Sequence, residues 1–154
     1  MCGGVTWTNN FSGSTNECGA SGVANVTFFA TDDCGNTATT HGLFTIRDNT
    51  APNLTSQAQD ISVECDGNGN TAALNAWLSS NGGANASDDC SNVTWTNNFN
   101  ANNSFANCDG TAGTATVTFT GSDQCGNTVT TQGTFTIVDA LNPVITQAPS
   151  QLTV

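Results

Sequence analysis

The sequence of 154 residues sets one Lys or Arg against 12 Asp and Glu, a formal net charge of −11, with only 8% of positions charged. Arg47 is the single fixed cation and lysine is absent, so the chain has no basic face to neutralise phosphates, and nucleic acid is excluded as a partner. No apolar run approaches about 18 residues, so no segment reads as a membrane-spanning helix, and any export signal is expected outside this sequence.

In chain order, Val5 and Trp7, then Val26 and Phe28, then Phe44 and Ile46 alternate with polar residues. A period of two argues for strands with one buried face. Thr71-Ala-Ala-Leu-Asn-Ala-Trp-Leu-Ser79 breaks the pattern: Leu74, Trp77 and Leu78 stand at i, i+3 and i+4. That spacing predicts a short helix, opened by Asn70 or Thr71 and closed by Gly82-Gly83. Alternation then returns, with Val93 and Trp95, Val117 and Phe119, and Phe135 and Ile137 predicted inward, and threonines between them outward. The outward threonines 116, 118, 120, 128, 130, 134 and 136 read first as a β-propensity choice and a soluble face without charge.

The chain also repeats itself. Cys2 to Phe11 recurs as Cys90 to Phe99 with eight of ten positions identical, and Val26 to Asp48 recurs as Val117 to Asp139 with 15 of 23 identical. The offset is 88 residues at the start and 91 at the end, so one unit is long enough to enclose its own core. Hydrophobic content of 36% is low for a single core and points the same way. Short alternating strands between Gly, Asn and Asp turns, with a Trp on an early strand, predict an all-β chain of tandem immunoglobulin-like β-sandwich repeats of about 90 residues, each with one short helix. The expected divisions are 1–50, the C-terminal part of one repeat; 51–141, a complete repeat; and 142–154, the first strand of the next.

Seven Cys without the paired C-x-x-C spacing of zinc sites read as disulfide staples, hence an extracellular location. In a sandwich the strand around Trp95 runs antiparallel to the strand ending near Cys125, which predicts a Cys90–Cys125 bridge. The strand ending at Cys65 is expected beside the final strand, finishing at the opposite pole, which predicts Cys65–Cys108. The first copy then supplies Cys2–Cys34 and leaves Cys18 unpaired. Each bridge would close a loop of about 30 to 45 residues and contribute roughly 3–4 kcal/mol.

Catalytic chemistry is weakly represented. His41 is the only imidazole and aligns with Gln132, while Arg47 aligns with Val138, so neither is used by both copies. The expectation is a protein that is not an enzyme. The carboxylates are more informative. Asp88, Asp89 and Asp123 flank Cys90 and Cys125, and Asp48 and Asn49 enter the same pole from the first copy. Converging hard oxygen donors are what Ca²⁺ takes, so these five residues are candidate ligands, with Asp32 and Asp33 beside Cys34 as the counterpart in the first copy. Asp66-Gly-Asn-Gly-Asn70 lacks the spaced Glu of a calcium loop and reads as a turn.

Taken together, Val63-Glu-Cys-Asp-Gly-Asn-Gly-Asn-Thr71, Leu74-Asn-Ala-Trp-Leu78, Ala86-Ser-Asp-Asp-Cys90, Val93-Thr-Trp95, Thr31-Asp-Asp-Cys-Gly-Asn36 and Phe44-Thr-Ile-Arg-Asp-Asn-Thr-Ala-Pro52 resemble the HYR-like, immunoglobulin-like repeats of large secreted bacterial surface proteins of Bacteroidetes type. The resemblance spans essentially the whole chain. It implies tandem arrays in adhesins and filaments, a role in adhesion or gliding motility, and type IX secretion. This chain departs from strict repetition at Gln124, where the first copy has Asp33, and at Ala140, where it has Asn49. The resulting expectation is a structural, adhesive segment of a cell-surface adhesin or filament, stiffened by disulfides and Ca²⁺, with neighbouring repeats or subunits as partners. Two alternatives are a carbohydrate- or surface-binding module, and a filament subunit that polymerises by strand exchange through 144–154.

Overall fold

The computed structural model describes residues 3–100 and 113–147. The described residues are mostly β-strand. β1 (Val5–Asn9), β2 (Gly22–Asp32) and β3 (Thr37–Ile46) form an antiparallel sheet in chain order. β4 (Asn53–Ser56) and β6 (Asn85–Ser87) pair as a two-stranded ribbon. A four-stranded sheet has the order β5 (Ile61–Glu64), β9 (Thr128–Val138), β8 (Gly113–Ser122), β7 (Thr94–Asn97). β5 runs parallel to β9, and the other pairs in that sheet are antiparallel.

The β7–β8–β9 strands follow the connectivity and register of β1–β2–β3. Trp7 faces Ala30 as its counterpart Trp95 faces Gly121, and Val26 faces Gly42 as Val117 faces Gly133. Both tight turns between the long strands are closed by the same device. Asp32 Oδ1 accepts the Cys34 and Asn36 N–H groups, and Asp123 Oδ1 accepts that of Asn127.

Period-two patterning becomes packing in the second half of the chain. Val117, Phe119, Phe135 and Ile137 are fully buried, and each contributes about 1.5–3 kcal/mol by leaving water. They are covered by Ala58, Leu74, Trp77 and Ala84. Leu74 and Trp77 come from α1 (Thr71–Ser79), at the predicted residues. Its cap differs from the expected one. Asn70 has a left-handed backbone and makes no side-chain cap bond, because its amide instead joins the 64–66 backbone, donating to the Glu64 carbonyl and accepting the Asp66 N–H. The helix stops before Asn81, Gly82 and Gly83, all at positive φ. Two glycines make room for Trp77. A methyl group on Gly82 or Gly133 would sit 3.3 or 3.0 Å from the indole.

The first sheet departs from the expectation of equal burial. Val26 is buried, yet Val5, Trp7, Phe28, Phe44 and Ile46 are exposed, Trp7 by 63%. The reason is what covers each sheet. The four-stranded sheet is capped by residues from 58 to 84, and among the described residues 3–50 there is no helix or strand pair to play that part.

The cysteine pairing also requires correction. Cys125 is bonded to Cys18, with Cα atoms 5.1 Å apart, and Cys90 is a free thiol, so neither Cys90–Cys125 nor an unpaired Cys18 describes the molecule. Antiparallel pairing does bring the Cys90 and Cys125 neighbourhoods together, since Ser91 Oγ accepts the Gln124 N–H at 3.1 Å. What topology alone could not supply is the 17–21 turn of the first copy, which docks on the same pole. Its Ala20 N–H donates to the Cys90 carbonyl and its Gly19 N–H to Gln124 Oε1, and Cys18 takes the sulfur of Cys125. Cys34 and Cys65 are disulfide-bonded as well; their predicted partners, Cys2 and Cys108, lie outside the described residues.

Candidate metal centre at the junction

The pole where the two halves meet collects acidic groups for local reasons. Asp48 follows β3, and its Oδ1 accepts the Thr50 N–H at 3.0 Å, an Asx turn that starts the connection to β4. Its carbonyl receives the Asn127 side-chain amide at 3.4 Å. Asp88 follows β6, and its Oδ1 accepts the N–H groups of Cys90 and Ser91 at 3.0 and 2.8 Å. These two turns aim a carboxylate oxygen of Asp48, one of Asp88 and the Cys90 sulfur at one another, all within 4.8 Å.

The three groups border a cavity of about 340 Å³, shared with Asn53, Ser87 and Asp89. Asp48 Oδ2 is enclosed and has no hydrogen-bond partner. A buried carboxylate oxygen left unsatisfied is costly, and a cation in the cavity would remove that cost. Burial pushes the Cys90 thiol above its ordinary pKa, and the charges of Asp48, Asp88, Asp89 and Asp123 push it further in the same direction.

The remaining sequence candidates fall elsewhere or are occupied. Burial of Asp123 opposes its charge, but the side-chain amide and N–H of Asn127 outweigh it and hold the carboxyl below the usual range. Both Asp123 oxygens are engaged by Asn127, at 2.8 and 2.7 Å, which makes this residue a loop clasp. Asp32 does the same in the first copy, its carboxyl lowered chiefly by the Asn36 side-chain amide, and Asp33 accepts the Gly4 N–H at 2.8 Å. Asn49 lines a separate cavity against Cys18 and Cys125. Sequence reasoning assigned Cys90 to a bridge and so missed it as a donor; the signals that could have shown it are the odd cysteine count and its direct attachment to Asp88-Asp89.

No protein-family model matches this chain, and no curated protein matches it significantly.

Proposed function

We propose that this chain is a structural segment of an extracellular adhesin or filament built from tandem immunoglobulin-like repeats of the HYR-like kind, with a mechanical rather than catalytic role. The observation that carries the reading is the Cys18–Cys125 bridge. It ties the first β-meander to the second, whose register it shares, and so resists separation of the two. The β4–β6 ribbon, α1 and the four-stranded sheet around Trp77 support a sandwich for the complete unit. Among the described residues no helix is long and apolar enough to cross a membrane, and the disulfide fits an oxidising, extracellular setting.

A divalent cation at the acidic pole completes this reading, and calcium is the ion that an all-oxygen set drawn from Asp48, Asp88 and Asp89 would take. Thermal melting with and without a chelator tests it. The expected result is a midpoint several degrees higher with Ca²⁺ present, because an ion bound only by the folded state stabilises by mass action. Identical midpoints would remove calcium from the account.

Strand exchange remains the second reading, favoured by β3 standing at an edge of the first sheet. β5 pairs with β9 in parallel, Ile61 opposite Phe135 and Val63 opposite Ile137. Counting from Pro52 and Pro143, Leu152 to Val154 is the sequence counterpart of Ile61 to Val63, and Phe44 and Ile46 are the counterparts of Phe135 and Ile137. Residues 152–154 of one copy would thus add along the edge of β3 of another, opposite Phe44 and Ile46. Deleting 144–154 is expected to abolish self-association seen by light scattering; unchanged association would discard this reading.

A further inference from the structure

We infer that Asp48, Asp88 and Cys90 form a thiolate-containing site for a borderline divalent metal of the zinc class, bridging the end of the first β-meander to the 88–91 turn. The inference rests on the reading of the junction as a cation site and changes the ion that it selects. Three observations carry it. Two carboxylate oxygens and one sulfur already lie within 4.8 Å of one another. Asp48 Oδ2 is buried there without a partner. The sulfur is free although four other described cysteines, Cys18, Cys34, Cys65 and Cys125, are in disulfides.

Donor chemistry then decides between ions. Ca²⁺ is a hard cation that takes six to eight oxygens and gains little from sulfur, whereas Zn²⁺ accepts thiolate and carboxylate together in fourfold coordination. With bonds of about 2.0–2.3 Å the donors of a tetrahedral site stand roughly 3.3–3.8 Å apart, so metal entry requires the widest separation to close by at most about 1.5 Å. The cavity holds further oxygen donors in Asn53 and Ser87, or a water, for the fourth position. Binding releases the thiol proton to solvent and leaves a sulfur-metal bond; no oxidant or reductant is involved. A metal-held thiolate also accounts for an unbridged cysteine persisting beside a disulfide.

The test uses the full disulfide-bonded chain, first freed of metal. Addition of Co²⁺ as a spectroscopic substitute is expected to give a near-ultraviolet thiolate-to-cobalt charge-transfer band, displaced by Zn²⁺, and Zn²⁺ should slow alkylation of Cys90 by a maleimide. Cys90→Ser should abolish the band, and Asp48→Asn should weaken Zn²⁺ binding by more than about 100-fold, since even outer-shell partners are worth 10 to 100-fold. Alkylation of the unmutated chain provides a readout even where a variant fails to fold. Absence of the band, with Cys90 alkylated equally fast with and without Zn²⁺, overturns the proposal. If Ca²⁺ nevertheless raises the melting midpoint, the junction remains a cation site without a thiolate; if neither ion has an effect, both readings fail together. Capture of Cys90 in an intermolecular disulfide on metal removal, with no Zn²⁺ protection, also overturns it.

Discussion

Truncating Trp77 to alanine is expected to destabilise the core between α1 and the four-stranded sheet by about 3–5 kcal/mol, a large share of the roughly 5–15 kcal/mol by which folded domains are stable. Trp77 is 6% exposed and meets Phe119 edge-on at a centroid distance of 5.2 Å and Phe135 at 5.7 Å. Its Nε1–H donates to the Gln59 carbonyl at 3.1 Å, so truncation leaves both a cavity and an unpaired acceptor. The same change at Trp7, 63% exposed on the first sheet, should cost less than about 0.5 kcal/mol. Urea unfolding of both variants distinguishes the two sites. Similar losses would mean that the first sheet has a cover as substantial as α1.

The second large effect concerns the Cys18–Cys125 bridge. It spans 107 residues, for which the chain-entropy model gives roughly 4.8 kcal/mol. Cys125→Ser, made together with Cys90→Ser so that the freed Cys18 cannot pair with the thiol its turn docks against, should lose about this amount. Cys18→Ser should lose only about 1 kcal/mol, because the freed Cys125 lies next to Cys90 across the Ser91–Gln124 contact and can pair with it, closing a loop of about 35 residues worth roughly 3.8 kcal/mol. Denaturant midpoints with non-reducing peptide mapping check this. Equal losses in the two variants, with Cys90 and Cys125 both free in Cys18→Ser, would contradict it.

Much of the fold could be read from side-chain periodicity. The helix at Thr71–Ser79 and the inward set Val117, Phe119, Phe135 and Ile137 follow from period 3.6 and period 2, and both occur as expected. Placement of β5 beside β9 follows from sandwich topology, and the structure adds that the pair is parallel. Periodicity says which residues share a face, however, and not whether anything covers that face; Trp7 and Trp95 have identical local patterns, and one is exposed while the other is half-buried. The Cys90–Cys125 pairing departs from the structure for a related reason. Cys90 and Cys125 were correctly brought to one pole, but a third cysteine reached that pole through a turn with no periodic signal. The acids divide by what their neighbours donate. An Asn four residues downstream turns Asp32 and Asp123 into loop clasps, whereas Asp48 has no such neighbour and keeps an unpartnered oxygen.

The mechanical reading rests on the two meanders being covalently tied, and stretching single molecules by their ends measures this directly. With disulfides intact, the segment between Cys18 and Cys125 should remain hidden from the load. Full reduction should then lengthen the unfolded chain by at least about 350 Å, the reach of 107 extended residues. Equal extension before and after reduction would contradict the account.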